Sequence, residues 1–449
     1  MPLSAGELKR KLVHIGVGGF ALLLRYLTWP DAAAMAAAAF FFNWQVLPRL
    51  GGRALWRDSD HGAGYPIGIL LYPLSVFVLV LALRDERWMV AAVWGLMAVG
   101  DGMASIVGQA VGGARLPWNP RKGWAGFAAF VVFGGLAAAF LSVWTLELPA
   151  RAMLSPWILT VIVPVTLLCA LVESMPTTLD DNLTVPLVGG IAIVLMARAD
   201  LTIFFGDPGL PRRAALGLAI NILIAALAYV ARSIDLAGAV SAVVIGTAIT
   251  AGLGLPGLAV MVAFFVVGSA VTRLGYRIKA ARGIAQEKGG ARGWRNAWAN
   301  GGIPAALALL AGFAGPDDRA LFALAYAASV ATAAADTCSS EVGKAYGRRT
   351  FLITTLRPVP PGTEGAISAE GTSAGFVAAL ILAAVGAAGG LYGWGLAVLV
   401  ATAGLLGSLG ESVLGTMAER RGWLDNDLLN AVNTALGAGL VVLMARVAA

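Results

Sequence analysis

The chain has 449 residues, of which 59% are hydrophobic and only 13% are charged. An ordinary globular domain has about a quarter of its residues charged, so this composition excludes a water-soluble globular protein. The formal net charge of +7 suits basic loops beside anionic lipid headgroups better than a nucleic-acid partner, which we do not expect.

Apolar segments long enough to cross a bilayer recur along the whole chain. They predict an all-α polytopic membrane protein with about 15 transmembrane helices. The predicted segments are 12–29, 31–47, 66–83, 88–105, 124–145, 156–173, 183–197, 214–230, 236–252, 256–272, 297–313, 319–336, 373–391, 395–412 and 428–446. Those at 31–47 and 183–197 are short, and a re-entrant segment is the alternative for both.

Lysine and arginine residues are unevenly shared between the two sides of the threaded chain. They gather in the segments 9–11, 49–57, 115–122, 273–295, 344–357 and 420–421, which fall on one side of the membrane. By the positive-inside rule that side is cytoplasmic. We therefore predict an integral protein of a bacterial-type cytoplasmic membrane with these loops in the cytoplasm.

One spacing of polar residues occurs twice in otherwise apolar sequence. The pattern DxxxSxxGxxxG comprises Asp101, Ser105, Gly108 and Gly112, and recurs as Asp336, Ser340, Gly343 and Gly347. A Glu-Ser pair and an Asp/Asn cluster follow each copy, namely Glu173-Ser174 with Asp180 to Asn182, and Glu411-Ser412 with Asp425 to Asp427 and Asn430. Because a carboxylate is costly to keep in a membrane helix, this repetition predicts a duplicated polar site.

The duplication divides the chain into two predicted membrane domains, 1–200 and 233–449, joined by a linker at 201–232 that contains an extra helix. Two repeats of about seven helices each would have opposite orientations if they were joined directly. The additional apolar segment near 214–230 restores the orientation of the second repeat. We therefore predict parallel repeats whose acidic sets both face the cytoplasm.

Nucleotide-binding motifs of soluble enzymes are absent or misplaced in this chain. Gly252, Gly254 and Gly257 form a GxGxxG, but it follows a predicted membrane helix instead of a strand, so we interpret it as a turn. The sequence has no GxxxxGK[ST] phosphate-binding loop and only two histidines. A nucleotide would therefore be held by Mg²⁺ and basic residues.

The first half of the chain resembles the phytol kinase and dolichol kinase family. The matching segments are ELKRKLVH at 7–14, GDGMA at 100–104, LPWNPRK at 116–122, and ESMP with DDNLTVPL within 173–187. The resemblance covers about residues 1–200 and implies a membrane enzyme that phosphorylates polyprenyl alcohols, typically with CTP. Where the family usually reads KSxxGS, this chain reads KGWAGF at 122–127.

The second half is similar to the phytyl-phosphate kinase family. The matching segments are NGG at 300–302, ADTCSSEVG at 335–343, VPPGTEGAIS at 359–368, EGT at 370–372 and LDND at 424–427. This resemblance covers about residues 215–449 and implies phosphorylation of a prenyl monophosphate to the diphosphate. The two halves together predict a bifunctional kinase that catalyses two consecutive steps.

Phosphoryl transfer requires positive charge around the β- and γ-phosphates, which Mg²⁺ held by carboxylates and basic side chains supply. In the first half the predicted catalytic and metal-binding residues are Asp101, Glu173 and Asp181. The predicted nucleotide- and phosphate-binding residues there are Arg10, Lys11, His14, Arg121, Lys122, Gly126 and Asn182. In the second half the predicted metal ligands are Asp336, Glu341, Glu411 and Asp425, of which all but Glu341 are also predicted to be catalytic. The phosphate-binding set there is Asn300, Ser340, Arg357, Gly362, Thr363, Gly365, Ser368, Asn426 and Asn430.

Structural roles are the alternative for several of these residues. Asp101 and Asp336 would also suit a polar seam between helices, and His14 would suit a hydrogen bond to the backbone. The cluster from Asp180 to Asn182 would suit the cap of the next helix. Ser105 and Ser340 lie beside glycines at helical spacing, which favours close packing of helices.

Two other functions fit the same pattern. Repeats with buried acids also suit a secondary transporter, and the nucleotide and acids also suit a cytidylyltransferase that makes a CDP-lipid. Acids that cluster towards helix ends on one face favour the kinase. Its expected partners are prenyl alcohols, prenyl phosphates and membrane lipids, and its expected cofactors are Mg²⁺ and CTP or another nucleoside triphosphate. The sequence does not define an oligomeric state.

Overall fold

The computed structural model describes residues 5–52, 56, 66–177, 179–285, 293–416 and 426–448. The chain forms two compact units, Met1–Ala199 and Asp200–Ala449, and both consist mainly of apolar helices. The prediction of an all-α polytopic membrane protein is confirmed.

The first unit begins with α1 (Ala5–Gly18) and its 3₁₀ extension (Gly19–Arg25). Helix α2 (Trp29–Phe41) follows, extended by a π turn (Phe42–Val46) and a 3₁₀ turn (Leu47–Leu50). Next come α3 (Ile67–Ala82) and α4 (Arg87–Val111). A hairpin of two short antiparallel strands, β1 (Arg115–Leu116) and β2 (Asn119–Gly123), connects α4 to α5 (Trp124–Thr145). The last helices of the unit are α6 (Pro156–Ser174) and α7 (Asp181–Met196).

The second unit contains α8 (Leu201–Phe205), α9 (Leu210–Val230), α10 (Leu236–Arg273), α11 (Tyr276–Ala281) and α12 (Trp294–Phe313). The long helix α13 (Pro316–Tyr346) leads into the antiparallel strands β3 (Phe351–Leu352) and β4 (Ala366–Ile367). Helices α14 (Ala369–Ala388), α15 (Trp394–Leu414) and α16 (Asn426–Ala448) complete the unit.

Within the described residues, nine helices are long and apolar enough to span a membrane, and α3 and α7 are shorter apolar helices. The expected count of about 15 spans is therefore not confirmed. Part of the difference comes from α10, which joins two predicted segments across a kink at Gly254, where φ is 70°. The GxGxxG motif lies at this kink, in agreement with its interpretation as a turn. A Cβ on Gly252 would lie 1.9 Å from the Ala308 carbonyl oxygen, so the glycine permits close contact with α12.

Each unit, considered by itself, contains the same order of elements. A helix with the DxxxSxxGxxxG pattern (α4 or α13) precedes a short hairpin, and a helix that packs against it follows (α5 or α14). A helix ending near the Glu-Ser pair (α6 or α15) and a helix starting at the Asp/Asn cluster (α7 or α16) come next. The repeated spacing in the sequence thus corresponds to a repeated set of elements.

Two glycines of the repeated pattern, Gly108 and Gly343, lie where two helix backbones approach closely. A Cβ on Gly126 in α5 would lie 2.8 Å from the Ala104 carbonyl oxygen and 3.4 Å from the Cα of Gly108 in α4. In the second unit a Cβ on Gly371 would lie 2.6 Å from the Ser339 carbonyl oxygen. Small residues at such crossings bring helices together in an apolar environment, which holds α4 against α5 and α13 against α14.

Candidate active site

Three carboxylates of the first unit converge. Asp101 lies within α4, Glu173 is the penultimate residue of α6, and Asp181 is the first residue of α7. One oxygen from each lies within 4.8 Å of the other two, and Asp101 and Glu173 are buried. Among the residues that the structure describes, this is the group suited to hold a metal ion. The structure therefore brings together all three predicted metal ligands of the first half.

The local sequence explains why Glu173 and Asp181 face each other across a short turn. The hairpin fixes the end of α6, because Trp118 donates its indole N–H to Ser174 Oγ at 3.0 Å and Asn119 donates to the Ser174 carbonyl at 2.9 Å. Helix α7 begins just after Asp180, whose carboxylate accepts the backbone N–H of Asn182 at 3.0 Å. The predicted helix cap is thus confirmed for Asp180, and it leaves Asp181 in the first turn beside Glu173.

Two lysines from distant parts of the chain neutralise much of this charge. Lys11 Nζ lies 3.1 Å and 2.9 Å from the two carboxylate oxygens of Asp101. Lys122 Nζ lies 2.7 Å from Glu173 Oε1 and 3.5 Å from Asp181 Oδ2. Three carboxyl groups face two ammonium groups, so a bound cation would compensate the negative charge that the ammonium groups leave when all three are ionised.

Lys122 lies on β2, outside the helices that span the membrane, and nearby carboxylates stabilise its positive charge. Burial by itself lowers the pKa of Lys122, but the carboxylates of Glu173 and Asp181 outweigh burial and hold that pKa above its ordinary value. A lysine whose pKa is raised in the folded protein stabilises the folded state at neutral pH. This stabilisation is lost only as the pH rises through the raised pKa, so these ion pairs persist across the physiological range.

His14 is fixed by α4. Its Nε2 lies 3.0 Å from the Met97 carbonyl oxygen and 3.4 Å from Asp101 Oδ2. A carbonyl oxygen can only accept, so we assign the proton to Nε2. The ring also packs edge-on against Tyr72, with 4.8 Å between centroids. The alternative role predicted for His14, a hydrogen bond to the backbone, is therefore present, and a role near the nucleotide stays a prediction.

The other predicted phosphate-binding residues of the first unit have varied surroundings. Arg10 is within 3.9 Å of Glu7 on α1, and the exposed Arg121 follows Asn119 on the hairpin. Gly126 serves the contact between α4 and α5 described above. Asn182 is buried and donates its Nδ2 to the Gly68 carbonyl at 3.1 Å. Its Oδ1 is buried with no hydrogen-bond partner among the described residues.

A cavity of about 400 Å³ opens beside the carboxylates, between α1, α2, α3 and α4. Lys11, His14, Asp101 and Asn182 contribute polar groups to its wall, and most of the remaining wall is apolar. Tyr72 and Trp94, which also line it, are joined by a 2.8 Å hydrogen bond from the indole N–H to the phenol oxygen. The residues that line this cavity could not be predicted from the sequence, because most of them are ordinary apolar helix residues.

The carboxylates of the second unit are arranged differently. A side-chain hydrogen bond joins Asp336 of α13 to Glu411 of α15. Two carboxyl groups joined by a hydrogen bond share a proton, and a metal ion bound there would take the place of that proton. Glu341 lies one turn further along α13 and forms a buried ion pair with Lys279 of α11. Glu341 also acts electrostatically on Asp336, and Asp425 lies outside the described residues, so the predicted ligand set of the second unit stays a prediction.

The glycine-containing loop of the second unit approaches Glu411. Gly362 and Gly365 have φ of 90° and 71°, a conformation that favours glycine. A Cβ on Gly365 would lie 2.7 Å from the carbonyl oxygen of Ser412, the residue after Glu411. Ser368 caps α14 by accepting the Gly371 N–H at 3.1 Å. Thr363 donates to the Pro360 carbonyl at 2.8 Å.

The remaining predicted residues of the second unit are spread over several elements. Asn300 is buried in α12 and donates to the Asn296 carbonyl at 3.1 Å. Asn430 is buried in α16, whereas Asn426, Ser340 and Arg357 are exposed. Their phosphate-binding roles stay predictions. Lys279 was not predicted, because nothing in the sequence distinguishes it from the other basic residues of the segment 273–295.

Comparison with known proteins places the chain in a family. The family profile described as integral membrane protein DUF92 matches residues 219–438. An uncharacterized membrane protein of Synechocystis sp. is 48% identical over 201 residues, which cover 44% of this chain and 78% of the relative. The chain belongs to the DUF92 family of integral membrane proteins.

Two plant proteins are also similar to this DUF92 member. Protein VTE6, chloroplastic, of Arabidopsis thaliana is 37% identical over 212 residues, which cover 46% of this chain and 64% of the relative. Phytol kinase 1, chloroplastic, of the same plant is 30% identical over 205 residues, which cover 42% of this chain and 66% of the relative. The chain thus spans just under two thirds of both plant proteins. No solved structure matches the chain significantly.

Proposed function

We propose that the chain is a bifunctional membrane kinase that converts a prenyl alcohol to its monophosphate in the first unit. The second unit then converts the monophosphate to the diphosphate. The proposal includes Mg²⁺ and a nucleoside triphosphate, CTP in the first instance, and sites that face the cytoplasm. The observation that carries it is the position of Asp101, which belongs both to the carboxylate cluster and to the wall of the mainly apolar cavity.

The donor set of the first unit fits Mg²⁺. Asp101, Glu173 and Asp181 supply the carboxylate oxygens that this hard cation prefers, and all three would hold it. Bound there, Mg²⁺ would neutralise charge on the nucleotide phosphates. Lys11 and His14 hold the Asp101 carboxylate in position from α1. Lys122 presents its ammonium group at the same place, where it suits a phosphate oxygen.

Two observations, the cavity and the name of one relative, support an amphipathic alcohol as the phosphoryl acceptor. An apolar space that ends at charged groups suits an amphipathic alcohol with its hydroxyl at the polar end. One relative is named a phytol kinase, which supports the same class of acceptor. In the second unit, the pair of Asp336 and Glu411 lies beside the glycine-containing loop, whose backbone N–H groups suit an acceptor that already carries a phosphate.

Product analysis tests the proposed reactions directly. The purified protein is incubated with phytol, farnesol or geranylgeraniol and each nucleoside triphosphate in turn, and the lipids are identified by mass spectrometry. We expect prenyl monophosphate first and diphosphate later, with a nucleoside diphosphate as by-product. A lipid that carries CMP, with release of pyrophosphate, would identify a cytidylyltransferase instead. Uptake of a solute into vesicles without chemistry would identify a transporter.

Replacement of Lys122 tests the cation site without measuring activity. We expect Lys122→Gln to lower the free energy of unfolding by about 1–3 kcal/mol, because the buried Glu173 loses its charged partner. We also expect MgCl₂ to raise the melting temperature of this variant more than that of the wild type. The reason is that the Lys122 ammonium group no longer competes with Mg²⁺ for the carboxylates. Thermal unfolding in detergent with increasing MgCl₂ measures both effects.

The matched control is Lys9→Gln, which removes an exposed lysine from α1. It is expected to unfold like the wild type and to respond to MgCl₂ in the same way. An equal response to MgCl₂ in wild type, Lys122→Gln and the control would argue against a cation site at the three carboxylates.

A further inference from the structure

We propose that the cavity of the first unit binds the apolar chain of a single-chain lipid alcohol. The chain enters sideways from the bilayer, and the hydroxyl group is held at Asn182 and Asp101. This inference rests on the proposed function and deepens it, since it assigns the acceptor's position and the residues that select its length.

Three helices define the long direction of the cavity. Helix α1 passes from Lys11 at the polar end to Phe20 in its 3₁₀ extension, and α3 passes from Gly68 to Val76 in the same sense. Helix α2 runs the opposite way, because Asn43 in its π turn donates to the Ile69 carbonyl at 3.1 Å near the polar end. At 1.5 Å per helical residue, Gly68 and Val76 are about 12 Å apart along α3. The lining residues of α3 therefore span about 12 Å along the direction that a lipid chain would take.

Asn182 supplies a vacant hydrogen-bond acceptor at the polar end. Its amide nitrogen is committed to the Gly68 carbonyl, and this contact fixes which atom is the oxygen, since a carbonyl can only accept. The Oδ1 atom is buried, lacks a partner among the described residues, and belongs to a side chain that lines the cavity. A buried acceptor without a partner costs free energy, which an alcohol O–H would recover by donating to it.

The outer wall of the cavity is apolar and exposed. Val13 and Val17 of α1, Phe20 after it, and Phe42 after α2 line the cavity while 36% to 52% of their surface is accessible. In a membrane protein such exposed apolar side chains face lipid. The inner wall contains the buried residues Tyr72 and Trp94. A lipid chain can therefore enter from the side, whereas the charged phosphates of a nucleotide would meet apolar groups.

The size of the cavity favours one chain. Its volume of about 400 Å³ lies near the lower end of the range of roughly 300–1,000 Å³ for small-molecule sites. A diacyl phospholipid has two chains, and a volume near the lower end of this range leaves space for only one of them. We therefore assign the site to a single-chain alcohol.

Filling the end of the cavity remote from Asp101 tests this assignment. Ala36 on α2 lines the cavity, is 4% exposed, and lies towards the end marked by Phe20 and Val76. We expect Ala36→Phe to lower kcat/KM for geranylgeraniol by about 10- to 100-fold, because the chain loses the space for its terminal units. The value for the short dimethylallyl alcohol is expected to stay within about threefold of wild type, since its chain ends before that point. Ala38→Phe, at an exposed position of the same helix, is the matched control and is expected to change neither value.

A binding measurement makes the test independent of turnover. A farnesol analogue with a photoreactive diazirine at its terminal unit is expected to label α2 and α3 of the wild type, and excess farnesol is expected to prevent labelling. Labelling that farnesol does not prevent would show that only bilayer lipid occupies the cavity, and labelling elsewhere would place the chain elsewhere. Either result overturns the assignment, as does an equal loss of activity on both alcohols in a folded Ala36→Phe variant. Specific labelling without any phosphorylation would instead refute the proposed function alone.

Discussion

Asp101→Asn is expected to stop formation of the prenyl monophosphate while added monophosphate is still converted to the diphosphate. The substitution keeps the size of the side chain but removes the charge that Lys11 and the proposed Mg²⁺ share. Loss of one preorganised charged group at such a site reduces the rate by about 100- to 1,000-fold. Purified variants supplied separately with alcohol and with monophosphate, followed by mass spectrometry, measure the two steps.

Asp85→Asn is the control for this variant, because Asp85 is exposed and pairs with Arg84 at the surface. It is expected to retain both reactions. A loss of both steps in Asp101→Asn would show that the two units do not act separately. Unchanged formation of monophosphate would remove Asp101 from the proposed mechanism.

Asp336→Asn is expected to have the complementary effect, so that monophosphate accumulates when the alcohol is supplied. The substitution removes a carboxylate from the pair with Glu411, beside the loop that contains Gly365. We expect the second step to slow by about 100- to 1,000-fold, for the same electrostatic reason. A time course of the monophosphate to diphosphate ratio measures the effect.

Asp317→Asn is the matched control on the same helix, since Asp317 is exposed in the first turn of α13. Its products are expected to match those of the wild type. If Asp336→Asn still forms diphosphate at the wild-type rate, the second site lies elsewhere. If it loses monophosphate formation instead, the assignment of steps to units is wrong.

The sequence by itself determined the class of the fold and most of the first site. The long apolar segments could only belong to a helical membrane protein, because backbone hydrogen bonds must be satisfied within the bilayer. The repeated spacing identified Asp101, Glu173 and Asp181 before their proximity was known, since charged groups are retained in membrane helices for specific reasons. The cap formed by Asp180 was also predictable, because capping depends on residues only a few positions apart.

The tertiary structure alone decided which distant residues meet. Lys11 pairs with Asp101 across 90 positions of sequence, and Lys279 of α11 pairs with Glu341 of α13. The buried Oδ1 atom of Asn182 lacks a hydrogen-bond partner among the described residues because of the way separate helices are rotated and spaced. The cavity between α1, α2, α3 and α4 depends on the same packing. Helix periodicity fixes which residues share a face of one helix, but only packing determines which faces meet. For this reason the carboxylates were predictable, whereas their lysine partners and the space beside them were not.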